Sequence, residues 1–356
     1  MDIFESLKEH GYEIKELLNS GAYGQCWFVR ENNVSRILKV YKSNNPDECI
    51  HEENVYKDLH GERLGVDWLF KAERVAFDKF SVLKLDTYEG CTLQQKFFYS
   101  KPELTLAEKL QLLIDACKTV AQMHNSEKPY IHLDIKPSNF YVSQTGQVKP
   151  IDLGSAVALK KNITQDTETN YINLINEIGY MSTEAYASKL VRVFNGRRKK
   201  LKESAAVTEN EKKHLLDLAE QIGIKDDIYS LICCIFNAVT NGKEVEFWLD
   251  HDSECSNISK LLREVLSGNN VPSYLIPDFE KLFMELDGPN QYYDKQVSIN
   301  SVEELISILE ELLKTEKAEG ISVSVLRRFS EKYFYDCFSD IEIDEELLTE
   351  IKAIND

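Results

Sequence analysis

Four polar side chains stand at close, fixed intervals near the middle of the chain. The stretch IHLDIKPSNF, residues 131 to 140, contains Asp134, Lys136 and Asn139, and the stretch IDLGSA contains Asp152. A carboxylate can orient an acceptor hydroxyl and take its proton, an ammonium can neutralise a transferred phosphoryl group, and carboxylate and amide oxygens suit a hard metal ion. Apolar residues flank each of the four, as expected of a strand-and-loop frame at a cleft. The residue types and their spacing therefore predict a phosphoryl-transfer site.

Two glycines nearer the N-terminus could serve the same chemistry. Gly21 and Gly24 lie in LLNSGAYGQCWFV, in a turn between two expected strands, and this context disfavours a dinucleotide-binding fold. Glycines there let backbone amides approach phosphate oxygens closely. An ordinary hairpin turn is the simpler interpretation of the glycines on their own, and both interpretations stay open.

A lysine in the following strand needs an anionic partner. Lys39 stands in the largely apolar run RILKVYK, where a desolvated ammonium requires a phosphate or a carboxylate nearby. Glu52, in the helix expected after that strand, could pair with Lys39 and fix it against a nucleotide. Taken singly, the two residues are explained as well by a lysine that reaches solvent and a glutamate on the surface.

The hydrophobic pattern predicts a frame for these side chains in two parts. Short alternating or apolar runs in the first hundred residues predict an antiparallel sheet, and DECIHEENVYKDLHG between them predicts one helix. From residue 105 onward helices are expected, with capping boxes at Thr105 and Glu108, in TENEKKHLLDLAEQIG, and at Ser301 and Glu304. DDIYSLICCIFNAVT is apolar on most faces, so we expect a buried helix there. An α+β protein with two lobes follows.

Composition restricts the partners and the compartment. The net charge of −18 disfavours general binding to nucleic acid or to anionic membranes. The 8 cysteines are scattered without the spacing of a zinc site or a disulfide framework, and no apolar run is long enough to span a bilayer. We therefore expect a soluble protein without a membrane span, in the cytoplasm of its own cell or of a host.

In order and spacing, these segments resemble those of the eukaryotic-type Ser/Thr protein kinases. SGAYGQCW resembles the glycine-rich loop, ILK the strand that carries the lysine, HLDIKPSN the catalytic loop, DLG at 152 to 154 the metal-binding motif, and GYMSTE the end of the activation segment. Glu52 takes the place of the helix partner and DDIYSL that of the central helix. The resemblance covers residues 12 to 315, and its most specific part runs from the catalytic loop to DLG.

The resemblance implies a bilobal protein-kinase-like fold. A small antiparallel-sheet N-lobe would occupy residues 1 to 86, and a larger helical C-lobe residues 87 to 318, with a basic and helical insert at about 187 to 222. Residues 319 to 356 would form a C-terminal extension that packs on the C-lobe.

The resemblance also implies roles for individual residues. Tyr56, His132 and Leu153 would stack between the lobes, Leu85 would be the gatekeeper, and Asp227 would brace the catalytic loop. The catalytic residues would be Asp134 as base, Lys136 on the transferred phosphate, and Lys39 with Glu52. ATP would be bound by Gly21, Gly24, Lys39, Asp86, Tyr88, Asn139 and Asp152, and Mg²⁺, with Mn²⁺ as the alternative ion, by Asn139 and Asp152.

Two departures from the family pattern affect regulation and partners. Leu133 replaces the arginine that usually precedes the catalytic aspartate, so activation by a phosphate paired with that arginine is not expected. The insert is basic on an otherwise acidic chain. An acidic partner, a phosphorylated substrate or an inositol phosphate could dock there, and a flexible solvated loop is the alternative. The cations concerned are Arg192, Arg197, Arg198, Lys199, Lys200 and Lys202.

The leading functional hypothesis is an ATP- and Mg²⁺-dependent kinase that phosphorylates serine or threonine in protein substrates. Lys136 favours these hydroxyls by family pattern, with tyrosine as a minority outcome. Two alternatives stay open: a pseudokinase scaffold that binds partners through the insert, and a small-molecule kinase of the aminoglycoside or choline kind.

Overall fold

A five-stranded antiparallel sheet and two helices form the N-terminal part of the molecule. The structure is a computed structural model that describes residues 3–20, 24–41, 46–61, 67–77, 80–159, 184–203, 208–243, 258–286 and 297–333. The strands lie in the order β1-β2-β3-β5-β4. Their bounds are Glu13–Ser20 (β1), Gly24–Glu31 (β2), Val34–Tyr41 (β3), Ala72–Ala76 (β4) and Ser81–Asp86 (β5), and the helices are Ile3–Glu9 (α1) and Asp47–His60 (α2).

Strand β3 is buried on both faces, which explains its nearly continuous apolar sequence. Leu38 and Val40 pack in one cluster with Leu7 of α1, and Ile37 and Tyr41 pack in another that includes residues of α2. Because side chains alternate along a strand, Lys39 emerges between Ile37 and Tyr41 on the face covered by α2. This register places the lysine where the sequence predicts it.

Helices dominate the rest of the described chain, as predicted. They pack around a core to which α4 and α7 contribute heavily. The helices are Leu93–Tyr99 (α3), Leu106–His124 (α4), Lys189–Glu203 (α5), Glu209–Gln221 (α6), Ile224–Val239 (α7), Ile258–Gly268 (α8), Ile276–Phe283 (α9) and Val302–Tyr333 (α10). Short strands are Gly90–Thr92 (β6), Tyr130–Ile131 (β7), Phe140–Ser143 (β8), Val148–Pro150 (β9) and Val157–Ala158 (β10), and 3₁₀ turns are Pro137–Asn139, Glu184–Tyr186 and Met284–Leu286.

Two predicted capping boxes are confirmed. Thr105 and Glu108 close the first turn of α4, and Thr208 and Glu211 do the same for α6. At α10 the Ser301 hydroxyl accepts from the Glu304 amide, but the Glu304 carboxylate accepts from the amide of Asn300, one residue earlier than predicted. The buried helix is also confirmed, because residues on all sides of α7 are buried.

The C-terminal helix passes through the predicted boundary at residue 318. Helix α10 continues without interruption to Tyr333. The packing of the extension on the C-lobe stays a prediction, since residues 334–356 lie outside the described part of the chain. Among the helices of the described residues, none is long and apolar enough to cross a membrane.

The beginning of α7 is tied to the residue that precedes α5. Asp226 accepts hydrogen bonds from the Ser188 hydroxyl and from the Gly223 amide, the latter at 2.8 Å. Burial raises the pKa of Asp226 to about 6, although both hydrogen bonds favour the charged form. The folded protein therefore holds this proton more tightly than the unfolded chain does. The resulting stabilisation is present at low pH and is lost as the pH rises through about 6.

We therefore expect the stability of Asp226→Asn, relative to the unsubstituted protein, to rise between pH 4 and pH 7. The amide stays neutral, so the variant avoids a cost of up to about 3 kcal/mol that ionisation imposes on the parent. Urea unfolding at several pH values measures the difference, with the exposed Asp278→Asn as a control for loss of charge. A difference that does not change with pH would show that Asp226 ionises normally.

Candidate active site

The loop that carries Asp134 is held from below by the first turn of α7. Asp227 accepts from the backbone amides of His132 and Leu133, at 2.7 and 2.9 Å, and from Nε2 of His124 at 2.8 Å. Leu133 has φ of 60°, in the left-handed region that side chains larger than glycine rarely adopt. The two hydrogen bonds from the amides to Asp227 stabilise this conformation. Asp134 is the next residue in the chain.

Asp227 is buried and ionised. Burial opposes its charge, but the hydrogen bond from His124 and the amide of His132 lower the pKa of Asp227 below its usual value. The predicted brace is therefore a carboxylate whose oxygens accept from the loop above it and from α4.

The side chain of Asp134 is oriented by two neighbours. Its Oδ2 accepts from Nζ of Lys136 at 3.0 Å and from Nδ2 of Asn139 at 2.9 Å. The Asp134 side chain is 13% exposed and that of Lys136 20% exposed, so both reach the surface of the site. A carboxylate fixed in this way can accept a proton from a hydroxyl placed next to it.

Asn139 carries an oxygen suited to a metal ion. Its Nδ2 is used by the side chain and the carbonyl of Asp134, while among the described residues no donor lies within hydrogen-bond distance of its buried Oδ1. Its carbonyl accepts from the amide of Ile151, the residue before Asp152, at 3.0 Å. The part of the chain that the structure describes contains no cluster of three His, Cys, Asp or Glu residues that could hold a metal. Two protein oxygens nonetheless suit Mg²⁺, which takes its remaining ligands from phosphates and water.

Lys39 lies between two carboxylates. Its Nζ is 2.5 Å from Oε2 of Glu52 and 2.5 Å from Oδ1 of Asp152, and the lysine is 4% exposed. Burial opposes the charge of Lys39, but Asp152 and Glu52 hold its pKa above the usual value. The pKa of Asp152 is lowered in turn, because Lys39 outweighs burial there. The alternative of a solvent-reaching lysine and a surface glutamate is thus wrong.

Tyr41 completes this cluster and is not among the site residues predicted from the sequence. Its hydroxyl donates to Oε2 of Glu52, and its ring lies 5.3 Å from Nζ of Lys39. Glu52 also accepts from the amide of Leu153 at 3.0 Å through Oε1. The sequence does contain a signal for Tyr41. Residues two apart on a strand share a face, and Tyr41 follows Lys39 at that interval.

Two glycines at the site are required by close packing. A Cβ on Gly154 would lie 3.0 Å from Oε2 of Glu52 and 3.1 Å from Nζ of Lys39. A Cβ on Gly24 would lie 2.2 Å from the carbonyl oxygen of Val40. Gly24 is the first residue of β2 rather than part of the predicted turn, and Gly21 lies outside the described residues.

The backbones of Asp86 and Tyr88, two residues predicted to bind ATP, already have hydrogen-bond partners. The amide of Asp86 donates to the carbonyl of Lys71 at 2.9 Å, and the carbonyl of Tyr88 accepts from the hydroxyl of Tyr141 at 3.2 Å. Leu85, the predicted gatekeeper, is fully buried. An adenine contact with the carbonyl of Tyr88 would have to share it with Tyr141.

The predicted stack between the lobes consists of buried residues. Tyr56 and Leu153 belong to the same hydrophobic cluster, which joins the sheet to the region of DLG. His132 is also fully buried, and its Nδ1 accepts from the amide of Asp134 at 3.3 Å.

The basic insert forms a pair of helices, α5 (residues 189–203) and α6 (residues 209–221). The alternative prediction of a solvated loop is wrong for these residues. Arg197, Lys199 and Lys200 are exposed and Arg192 is half-buried. Arg198 is only 5% exposed, so it belongs to the interior and not to the predicted basic surface. The side chain of Lys202 lies outside the described residues.

Comparison with known proteins gives partial matches. No protein-family model matches the chain. The chain is 34% identical over 162 residues to a protein of Acanthamoeba polyphaga mimivirus named as a serine/threonine-protein kinase/receptor. It is 26% identical over 168 residues to the human serine/threonine-protein kinase MRCK alpha and 24% identical over 182 residues to the serine/threonine-protein kinase PknB of Mycobacterium tuberculosis.

These matches cover 42%, 44% and 49% of this chain, respectively. The chain spans only 9% of the length of the mimivirus and human proteins and 28% of the bacterial one. The similarity therefore concerns a family relationship and not the whole of any of these proteins.

We expect Tyr41→Phe to loosen the Lys39 cluster without dismantling it. Loss of the hydroxyl removes one charge-assisted hydrogen bond to Glu52, worth about 1.5–3 kcal/mol, and keeps the ring beside Lys39. Amide hydrogen exchange at Leu153, whose N–H donates to Glu52, should become faster.

Tyr274→Phe is the matched control. It removes a hydroxyl bond to Glu316 of 2.8 Å in the helical part of the molecule. This variant should lose stability but leave exchange at Leu153 unchanged. Equal effects of both variants on Leu153, or none from Tyr41→Phe, would contradict a role for Tyr41 in holding Glu52.

Proposed function

We propose that this chain, a divergent member of the protein kinase family, transfers the γ-phosphoryl group of ATP to serine or threonine hydroxyls of protein substrates. The observation that carries the proposal is the linkage of four side chains. Asn139 donates to Asp134 through Nδ2, and among the described residues no donor lies within hydrogen-bond distance of its Oδ1. Its carbonyl accepts from the amide of the residue before Asp152, and Asp152 pairs with Lys39. A proton acceptor, two metal ligands and a phosphate-binding cation are thus linked through hydrogen bonds and the single peptide between Ile151 and Asp152.

Each group has a separate task in this reaction. Asp134 orients the acceptor hydroxyl and takes its proton, and Lys136, which donates to Asp134, neutralises the phosphoryl oxygens as they approach. Lys39 binds the phosphates of ATP and is held in place by Glu52 and Tyr41. Mg²⁺ held by Asn139 and Asp152 supplies further neutralisation of the phosphate charge.

Lys39 is a cation in this arrangement. Its two carboxylate neighbours keep its pKa above the usual value, so it remains a cation near neutral pH. If Asp152 bound a metal, phosphate oxygens could take its place at Nζ of Lys39, and Glu52 would keep the ammonium in position.

Protein acceptors and serine or threonine specificity are supported by resemblance. The curated relatives carry the name serine/threonine-protein kinase, and Lys136 stands two residues after the proposed base, as in that group. A cytoplasmic location suits the free thiols of the six cysteines in the described residues.

We expect the unsubstituted protein to phosphorylate serine or threonine in a mixture of protein substrates when supplied with ATP and Mg²⁺. Asp134→Asn should lower the rate at least about 100-fold, because the proton acceptor is lost. Asp152→Asn should also lower it and raise the Mg²⁺ concentration required. Phosphopeptide mass spectrometry measures the transfer, and Asp278→Asn, at an exposed aspartate far along the chain, is the control.

Other outcomes would contradict the proposal. Phosphorylation of small alcohols such as choline or an aminoglycoside, but of no protein, would indicate a small-molecule kinase. Binding of Mg-ATP without transfer to any acceptor would indicate a scaffold. Phosphotyrosine as the main product would overturn the assignment to serine and threonine.

An acidic or phosphorylated partner is proposed for the outer face of α5. Leu190 and Phe194 are buried on the inner side of this helix, whereas Arg197, Lys199 and Lys200 are exposed. Gly196 lies among these cations, and a Cβ there would meet nothing within 4 Å. A positive stripe on a chain with a net charge of −18 attracts acidic segments selectively.

Replacement of Arg197, Lys199 and Lys200 by serine should raise KM for an acidic or phosphorylated peptide about tenfold or less and leave KM for a neutral peptide unchanged. Exposed charge pairs contribute about 1 kcal/mol or less each, and added salt should remove the difference. Steady-state kinetics with matched peptides at two salt concentrations measure the effect. If the KM for the acidic peptide is the same in the triple variant as in the parent, this surface does not bind the peptide.

A further inference from the structure

The helical pair α5–α6 does more than carry charge, because its apolar side packs against the loop that holds Asp134. One hydrophobic cluster, which we name the hairpin cluster, joins residues of the two helices to the loop and to its preceding strand. Its buried members are Ile131, Leu133, Ala187, Leu190, Val191, Phe194, Leu215, Leu218 and Ile222. Val157 and Leu159, at and just after β10, pack against it.

Leu133 is the member of this cluster that directly precedes Asp134. Its side chain is 3% exposed, and its backbone has φ of 60°. A bulky residue persists in this region only where its surroundings determine its conformation from several sides. Asp227 fixes the backbone by accepting hydrogen bonds from two backbone amides, and the side chain of Leu133 packs in the hairpin cluster.

The two restraints on Leu133 belong to one structural unit. Helix α6 ends at Gln221, and α7, which carries Asp227, begins at Ile224. At the other end of the hairpin, the Ser188 hydroxyl donates to Asp226 and accepts from the amide of Val191, in the first turn of α5. The base of the hairpin is therefore bonded to the residue next to Asp227.

We propose that the α5–α6 hairpin positions the catalytic loop by packing around Leu133, so that the orientation of Asp134 does not require a phosphate on the chain. This inference rests on the proposed function and extends it to the control of the same site. Leu133 is neutral and cannot pair with a phosphate, and the packing that surrounds it comes from within the described chain. In this role Leu133 and Phe194 are positioning residues, which act on Asp134 through the backbone.

Leu133→Ala and Phe194→Leu test the proposal. Phe194 is fully buried in α5, and the change to leucine keeps an apolar side chain so that the hairpin still folds. Both variants should lower kcat about 10- to 100-fold, because a misplaced base loses rate, and leave KM for ATP unchanged. Leu133→Met, which conserves the side-chain volume, should keep kcat near that of the parent.

Leu309→Ala is the matched control, since Leu309 is fully buried in α10 and belongs to a different cluster. It should lose stability as Leu133→Ala does but keep kcat, when all variants are assayed below their unfolding temperatures. A kcat in Leu133→Ala equal to that of the parent, or an equal loss in Leu309→Ala, would overturn the proposal. Loss of activity when the parent is treated with a phosphatase would overturn it too.

A second measurement separates this inference from the proposed function. Amide hydrogen exchange at His132 and Leu133 requires no activity, and both amides donate to Asp227. Exchange there should accelerate in Leu133→Ala and Phe194→Leu and not in Leu309→Ala. If the parent transfers no phosphate but exchange follows this pattern, the proposed function fails while the packing role stands. Unchanged exchange in the two hairpin-cluster variants would refute the packing role.

Discussion

A single ammonium group, that of Lys39, connects the two parts of this molecule. It emerges from β3 and pairs with Glu52 of α2. It also pairs with Asp152, which lies in the helical part of the molecule, beyond α4 and the loop of Asp134 in the chain. Removal of one partner of such a buried ion pair costs about 3–5 kcal/mol, because the remaining charge is left uncompensated. Much of the surrounding structure is consistent with this constraint. Gly154 leaves room for the three charged groups, and Tyr41 and the Leu153 amide bond to the oxygens of Glu52.

A second carboxylate, Asp227, has a comparable role in the helical part. It is deeply buried yet ionised, and it accepts from two successive backbone amides in a stretch where Leu133 adopts a left-handed conformation. Asn139 links the two arrangements, because its side chain bonds to Asp134 and its carbonyl accepts from the amide before Asp152. The geometry of the candidate site thus depends on buried charges that are hydrogen bonded, in accord with the high cost of burying unpaired charge.

The sequence predicts the parts of this arrangement in which residue type and spacing carry the chemistry. Asp134 bonds to Asn139 within one loop, and two short strands return the chain so that Ile151, next to Asp152, donates to the carbonyl of Asn139. Lys39 meets Glu52 because an apolar strand and an amphipathic helix must pack together. The two-lobed α+β architecture follows from the change of hydrophobic period near residue 105. Helix starts at Thr105 and Thr208 are predicted correctly, because a capping box is a local signal.

The features that sequence analysis misses depend on tertiary packing. The Tyr41 hydroxyl finds Glu52 only once α2 lies against β3, and tyrosine in an apolar strand is otherwise an ordinary core residue. Arg198 belongs to a run of cations, which suggests a surface, yet the packing of α5 buries it. The contribution of the insert to the catalytic loop is hidden for the same reason. Its apolar residues predict helices that pack somewhere, while only the fold shows that Leu133 is among their partners.

The most direct test of the proposed site is a crystal structure of the protein with Mn²⁺ and a non-hydrolysable ATP analogue, with anomalous scattering used to locate the metal. We expect manganese bound to Oδ1 of Asn139 and the carboxylate of Asp152, with the phosphates of the analogue in contact with Nζ of Lys39. A nucleotide bound elsewhere, or manganese absent from these two oxygens while the nucleotide is present, would contradict the site described here.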